Sequence, residues 1–188
     1  MLYKVYNSDR IRGFSDGMFA VIITIMVLDL KAPHTPEPAA LLEQWPTFLA
    51  YALSYLQAGI YWVNHHSLLK DAEKVDDRVL WLNLLMLFAL SLMPFATSFL
   101  GENHAASFPT AVYAFVMLMP ALVWNFLHGA ILRVNPAEKE VTRTASNKGY
   151  IALGLYAAAV PLAYLNPAIS LFFVFTVAVM YFVPTKYF

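Results

Sequence analysis

Residues 10–30 read RIRGFSDGMFAVIITIMVLDL, an apolar run that carries Asp16 near its start and Asp29 near its end. On a helix turning about 100° per residue, Gly13, Gly17, Val21, Thr24 and Leu28 share an arc of roughly 80°. That stripe is narrow, built of small, β-branched or singly polar residues. Two glycines four apart let a neighbouring helix approach closely. This face is expected to line an ion path, with the rest of the chain holding it in place.

The surrounding composition agrees with a lipid setting. The chain has 188 residues, enough for a single domain spanning 1–188. Hydrophobic residues make up 60% and charged residues 13%, about half the charged share of soluble domains. The mean hydropathy is +0.59. The reading is an all-α, polytopic membrane protein. A net charge of zero argues against a nucleic-acid partner, because phosphate binding needs a clustered basic surface. With no cysteine, disulfides, thiolate metal sites and cysteine nucleophiles are excluded. The first apolar stretch lacks a small-residue cleavage pattern, so it is expected to remain as a span.

Six spans follow in order. The first covers about Gly13 to Leu30 and stops at Lys31-Ala-Pro33. Residues 34–44 contain Pro36 and Pro38 and read as a loop. The second span is Trp45 to Asn64, with Trp45 and Trp62 near its ends, where amphipathic rings favour the interface. His65, His66 and the charged run Lys70 to Arg78 come next. The third span is Val79 to Phe99, with Pro94 expected to bend its far end. The fourth is Phe108 to Leu132, with Pro109 in its first turn and Pro120 as an expected kink. Arg133 to Lys148 is polar. Gly149 to Thr185 carries no charge and is too long for one helix across a core of roughly 30 Å. Asn166-Pro167 divides it, since Asn caps helices and Pro suits the first turn.

Charge between the spans predicts orientation. Lys and Arg number three before the first span, three between the second and third, and four between the fourth and fifth; Lys186 follows the sixth. The opposite side holds only Lys31. Both termini are therefore expected in the cytoplasm.

Few residues offer chemistry. Asp16, an acid within a span, is costly and calls for a partner or for a role capping the helix start. Arg10 and Ser15 are near in sequence, and His65 or His66 at a similar depth, so a polar network fixing helix register is expected. Thr24 has a bland alternative, a hydroxyl bonded back to the carbonyl one turn earlier. Its neighbours Val21 and Leu28 suggest more, because apolar rings close pores by dewetting and a hydroxyl ring replaces part of an ion's hydration. One helix cannot surround a pore, so this requires an oligomer. His65 and His66 point about 100° apart and cannot chelate one ion together. Asp71, Glu73, Asp76 and Asp77 read as a solvated loop. With no triad order, phosphate-cradling loop or nucleotide fingerprint, an enzyme is not expected.

Arg10-x-x-x-Phe14-Ser15-Asp16, continuing Gly-Met-Phe-Ala-Val-Ile-Ile-Thr24, resembles the signature of the transmembrane protein 175 family of potassium channels. Trp62-x-x-His65-His66 and the six-span plan also resemble that family. The resemblance implies a homotetramer of six-span subunits in the bacterial inner membrane, where the animal protein fuses two such units. It implies a pore lined by the first span, without the Thr-Val-Gly-Tyr-Gly filter of ordinary potassium channels. By position, Val21 matches the family's hydrophobic constriction, Thr24 the threonine linked to potassium preference, and Leu28 and Ile25 further apolar pore residues. Arg10, Phe14, Ser15, Asp16 and His65 match its signature and its polar network. Family members commonly carry Ile or Leu at the constriction; the shorter Val21 implies a slightly wider neck and modest selectivity against sodium.

The expected function is passive potassium conduction, with no cofactor, no resident metal, no small-molecule substrate, and only lipid and further copies of the chain as partners. The alternative is a small secondary transporter with its site inside one subunit. That needs a polar cavity at mid-membrane, for which spans three to six offer Asn83, Ser91, Thr97, Asn125 and little else. A third reading is an assembly protein in which the Gly13/Gly17 face is only a helix contact.

Overall fold

The computed structural model describes residues 6–70, 72, 74–135 and 139–183. Lys4, Asp71, Glu73 and Lys186, which entered the charge reading, lie outside the described residues. A two-residue strand β1 (Tyr6–Asn7) leads through Ser8 into α1 (Asp9–Leu28). A short α2 (Pro38–Leu42) precedes α3 (Trp45–Lys70) and a second strand, β2 (Lys74–Val75). Then come α4 (Asp77–Ser91), α5 (Met93–Glu102), α6 (Ser107–Val134), α7 (Lys139–Leu165) and α8 (Pro167–Phe182).

Helix boundaries follow backbone chemistry, sometimes beyond what the apolar pattern suggested. Pro94 has no N–H and its ring would strike the carbonyl four residues back. The third span therefore breaks outright at Leu92, whose N–H bonds the Ala89 carbonyl at 3.3 Å, and restarts with Pro94 as the second residue of α5. Pro120 and Pro161 lie inside continuous α6 and α7. Asn166 separates α7 from α8 and caps α8, its side chain accepting from the Ala168 N–H at 2.8 Å. α3 runs on to Lys70, so His65 and His66 sit on the helix rather than after it. The polar stretch before Gly149 is helical from Lys139.

α6 is the middle of the bundle, packed against α4, α5, α7 and α8, while α1 lies against α3, α4 and α5. Met86, Leu90, Met93, Tyr113, Met117, Leu127 and Tyr156 are fully enclosed. Most polar groups in this interior bond one another, as an apolar surrounding demands, while the buried Nε2 of His128 has no hydrogen-bond partner among the described residues. Thr97, Ser54 and Tyr113 form a hydroxyl chain with steps of 2.7 and 3.0 Å. Tyr156 donates to Gln57 Oε1 at 2.8 Å, and Gln57 Nε2 donates to the Val174 carbonyl at 3.0 Å. Lys148 is buried and closes the end of α8, donating to the carbonyls of Met180 at 3.2 Å and Val183 at 2.6 Å.

Among the described residues, four helical stretches are long and apolar enough to cross a bilayer: α1, α4 with α5, α6, and residues 147–165 of α7. α8 is apolar but has 16 residues. α3 has 26 residues and turns Ser54, Gln57 and His65 into the bundle.

The charged connection between α3 and α4 differs from the solvated loop expected of it. Asp76 is almost wholly buried. It caps α4 by accepting from the Val79 N–H at 2.9 Å, and it accepts from Arg133 on α6 at 2.6 Å. Burial is tolerated because both partners stabilise the carboxylate. Beside it, β1 and β2 pair antiparallel, with Tyr6 opposite Val75 and Asn7 opposite Lys74.

Candidate functional site on the first helix

α1 has two faces. Ile11, Ser15, Phe19, Ile22 and Met26 are buried and recur at spacings of three and four, the period of one helical face. Gly13, Gly17, Val21, Thr24 and Leu28 lie on the other side, centred about 160° away, and all five are exposed in the single chain. Val21 is 50% and Leu28 76% exposed. Ile25 and Ala20, which flank the stripe on opposite sides, are also exposed.

The glycines are the informative members. A Cβ built on Gly13 or Gly17 meets nothing within 4 Å. Packing inside the subunit therefore does not require them, although each costs about 1 kcal/mol relative to Ala in a helix interior. Gly59, Gly129 and Gly154 have the same freedom, so the two on α1 are set apart by their place on its exposed stripe. Thr24 has its hydroxyl turned back, 3.0 Å from the Ala20 carbonyl and 2.9 Å from that of Val21. One proton serves those carbonyls, and the oxygen keeps lone-pair capacity on the exposed face.

The buried face of α1 is anchored by a three-helix polar cluster. Asn83 on α4 donates from Nδ2 to Ser15 Oγ at 3.0 Å, and its Oδ1 lies 2.7 Å from His65 Nε2. An amide oxygen only accepts, so the His65 proton sits on Nε2. Ser15, His65 and Asn83 are all buried, and the His65 ring packs on Phe19 with centroids 5.7 Å apart. The membership differs from the expected network. Asp16 is exposed and pairs with Trp62, whose Nε1 donates to Oδ1 at 2.9 Å. Adjacent helical residues diverge in direction, so the histidines part: His65 turns inward and His66 lies against Trp62, centroids 5.8 Å apart. Arg10 and Phe14 are exposed, and Arg10 has no hydrogen bond or ion pair among the described residues. Arg12 pairs instead with Asp9.

Asn83 is the hub that sequence reading missed as such. An Asn in an otherwise uncharged span signals a buried partner, but only the fold reveals which helices it joins.

Comparison with known proteins completes the identification. Residues 10–94, from α1 into α5, match the family described as endosomal/lysosomal potassium channel TMEM175. A potassium channel of Chryseobacterium sp. strain P1-3 is 38% identical over 179 residues, covering 94% of this chain and 93% of its own length. The human endosomal/lysosomal proton channel TMEM175 is 32% identical over 107 residues, 50% of this chain and 21% of the human protein. The crystal structure of a lysosomal potassium-selective channel TMEM175 homolog from Chamaesiphon minutus superposes with a TM-score of 0.83 at 29% identity. That match covers 93% of this chain and 95% of the other. A helical bundle with helices long and apolar enough to cross a membrane, the signature on α1 and two matches over more than nine-tenths of the chain lead to one conclusion: the chain belongs to the TMEM175 family of ion channels.

Proposed function

We propose that this chain conducts potassium passively through a homotetrameric pore lined by α1 in a bacterial inner membrane. The subunit contributes six spans, α1, α3, α4 with α5, α6, α7 and α8, with both termini in the cytoplasm. Val21 forms the narrow apolar neck, and Thr24 presents a ring of hydroxyl oxygens one turn away. Leu28 and Ile25 continue the apolar lining, and Gly17 and Gly13 leave the inner mouth wide. A hydrophobic neck does not coordinate a bare ion, so preference for potassium arises from hydration cost and the Thr24 ring, and is modest. No cofactor is needed; the ion is the permeant species.

The observation that carries this reading is the exposed stripe of α1, where two glycines have no neighbour in their own subunit. The names of the bacterial relatives support potassium as the ion. The transporter alternative has less behind it: the polar-lined cavity among Gln57, Tyr61, Asn64, Tyr156 and Tyr181 is about 10 Å³, on the order of one water, and the cavity of about 630 Å³ beside Trp45, Leu49 and Phe172 is lined mostly by apolar side chains.

The test is ion flux from liposomes holding purified protein, with sodium as competitor and a proton-sensitive dye as a second channel of readout. Potassium-preferring flux altered by Val21→Ala and Thr24→Ala is expected. Vesicles that contain folded oligomer yet remain tight to potassium would sink the proposal, and dye response without potassium flux would reassign the ion.

A further inference from the structure

The inner end of α1 is tethered to the far side of its own subunit. β1 ends at Asn7 and α1 begins at Asp9, so Ser8 alone joins strand to helix, and Ser8 is buried. β1 pairs with β2, and β2 is gripped from its other edge. There Asn135, the residue closing α6, accepts from the Lys74 N–H at 3.2 Å and donates to the Lys74 carbonyl at 2.9 Å. Its Nδ2 also donates to the Ile131 carbonyl at 3.1 Å, which steadies the side chain against its own helix. In an extended strand, both main-chain groups of one residue point to one side and those of the next residue to the other. Lys74 thus serves Asn135, and the buried Val75 turns its main-chain groups toward β1. The carboxamide acts as a third strand of one residue. One position further, the Asp76–Arg133 pair ties the same connection to α6 again.

We propose that Asn135 is a positioning residue for conduction: through β2 and β1 it holds the inner end of α1 against its own subunit and away from the pore axis. The proposal rests on α1 lining the pore. Release of the tether favours closure, because Val21 and Leu28 are at least half exposed and gain burial when the α1 helices of four subunits draw together. Asn135 touches no permeating ion, so its loss changes how often the pore is open and leaves what passes through it alone.

Single-channel recording of purified protein in planar bilayers tests this. Asn135→Ala is expected to lower open probability at least about threefold, with unitary potassium current and reversal potential unchanged. Asn135→Ser, which keeps one hydrogen-bonding group, is expected to fall in between. The chain has no cysteine, so Asn7→Cys with Lys74→Cys introduces a single possible disulfide. These residues are Cα partners in a non-hydrogen-bonded position, where separations of about 4.5 Å suit a disulfide. Added to Asn135→Ala, the oxidised pair restores open probability and reduction removes the effect, a reversal that misfolding would not produce. Wild-type current with unchanged open probability in both Asn135 variants would overturn this inference alone. Failure of the oxidised pair to restore it would do the same. No wild-type current at all would remove the pore reading and this inference with it.

Discussion

Gly17→Ala separates a pore-facing glycine from one needed for packing, because the two roles predict opposite changes in stability. The added methyl meets no atom of the subunit within 4 Å. The helix gains the propensity difference between Ala and Gly, about 0.5–1 kcal/mol per subunit. In the proposed tetramer, four methyls would also enter the inner mouth at one level, a turn before the Val21 neck. Potassium flux is then expected to fall by at least about twofold, since pore diameter limits conduction. Two assays on one preparation read both effects: thermal unfolding in detergent and flux from liposomes. A more stable protein that conducts less is the predicted pair. A less stable one would mean that Gly17 is pressed against a neighbouring helix, and the pore-facing assignment would fail. Raised stability with unchanged flux would refute the assignment as well.

Other positions should behave differently for stated reasons. Gly101→Ala places a Cβ 3.0 Å from the Cα of Thr47, backbone that must shift by a few tenths of an ångström, so unfolding in detergent should be easier by about 1–3 kcal/mol. Asn83→Ala strips partners from buried Ser15 and His65 and should cost about 2 kcal/mol, less than in water because membrane interiors offer substitutes. Trp62→Phe loses one bond to an exposed Asp16, and a stability loss of about 0.5 kcal/mol is expected in the same assay. A Trp62→Phe loss exceeding that of Asn83→Ala would reverse the ranking of buried over exposed anchors.

Most of the helical order is legible because lipid-spanning segments must be apolar and proline acts through a local steric rule. Pro94 and Asn166 mark breaks in the chain for that reason. Pro120 looks equivalent in sequence, yet α6 continues through it, since the central helix is held by neighbours on several sides. The two faces of α1 are legible from their period alone. Partners are harder. Asp76 lies 57 residues from Arg133, and nothing local says they meet. Its position three residues before the Val79 N–H did offer a signal, an acid opening an apolar run. Asp16 and His65 stand at one depth, but depth leaves the azimuth open. His65 turns toward Asn83, and the indole of Trp62 reaches Asp16. The strand pairing of Tyr6–Asn7 with Lys74–Val75 has no sequence signature at two residues per strand.

The central claim is that the exposed stripe of α1 faces water inside a membrane. Single cysteines at Val21, Thr24 and Leu28, and at the buried Ile22 and Met26, can be placed in this cysteine-free chain one at a time. A charged thiol reagent, which reacts only where water ionises the thiol, is then applied during potassium current. The account predicts modification and block at positions 21, 24 and 28, with 22 and 26 unreactive. Stripe positions that stay unmodified while the channel conducts would place that face in lipid or protein and contradict the account.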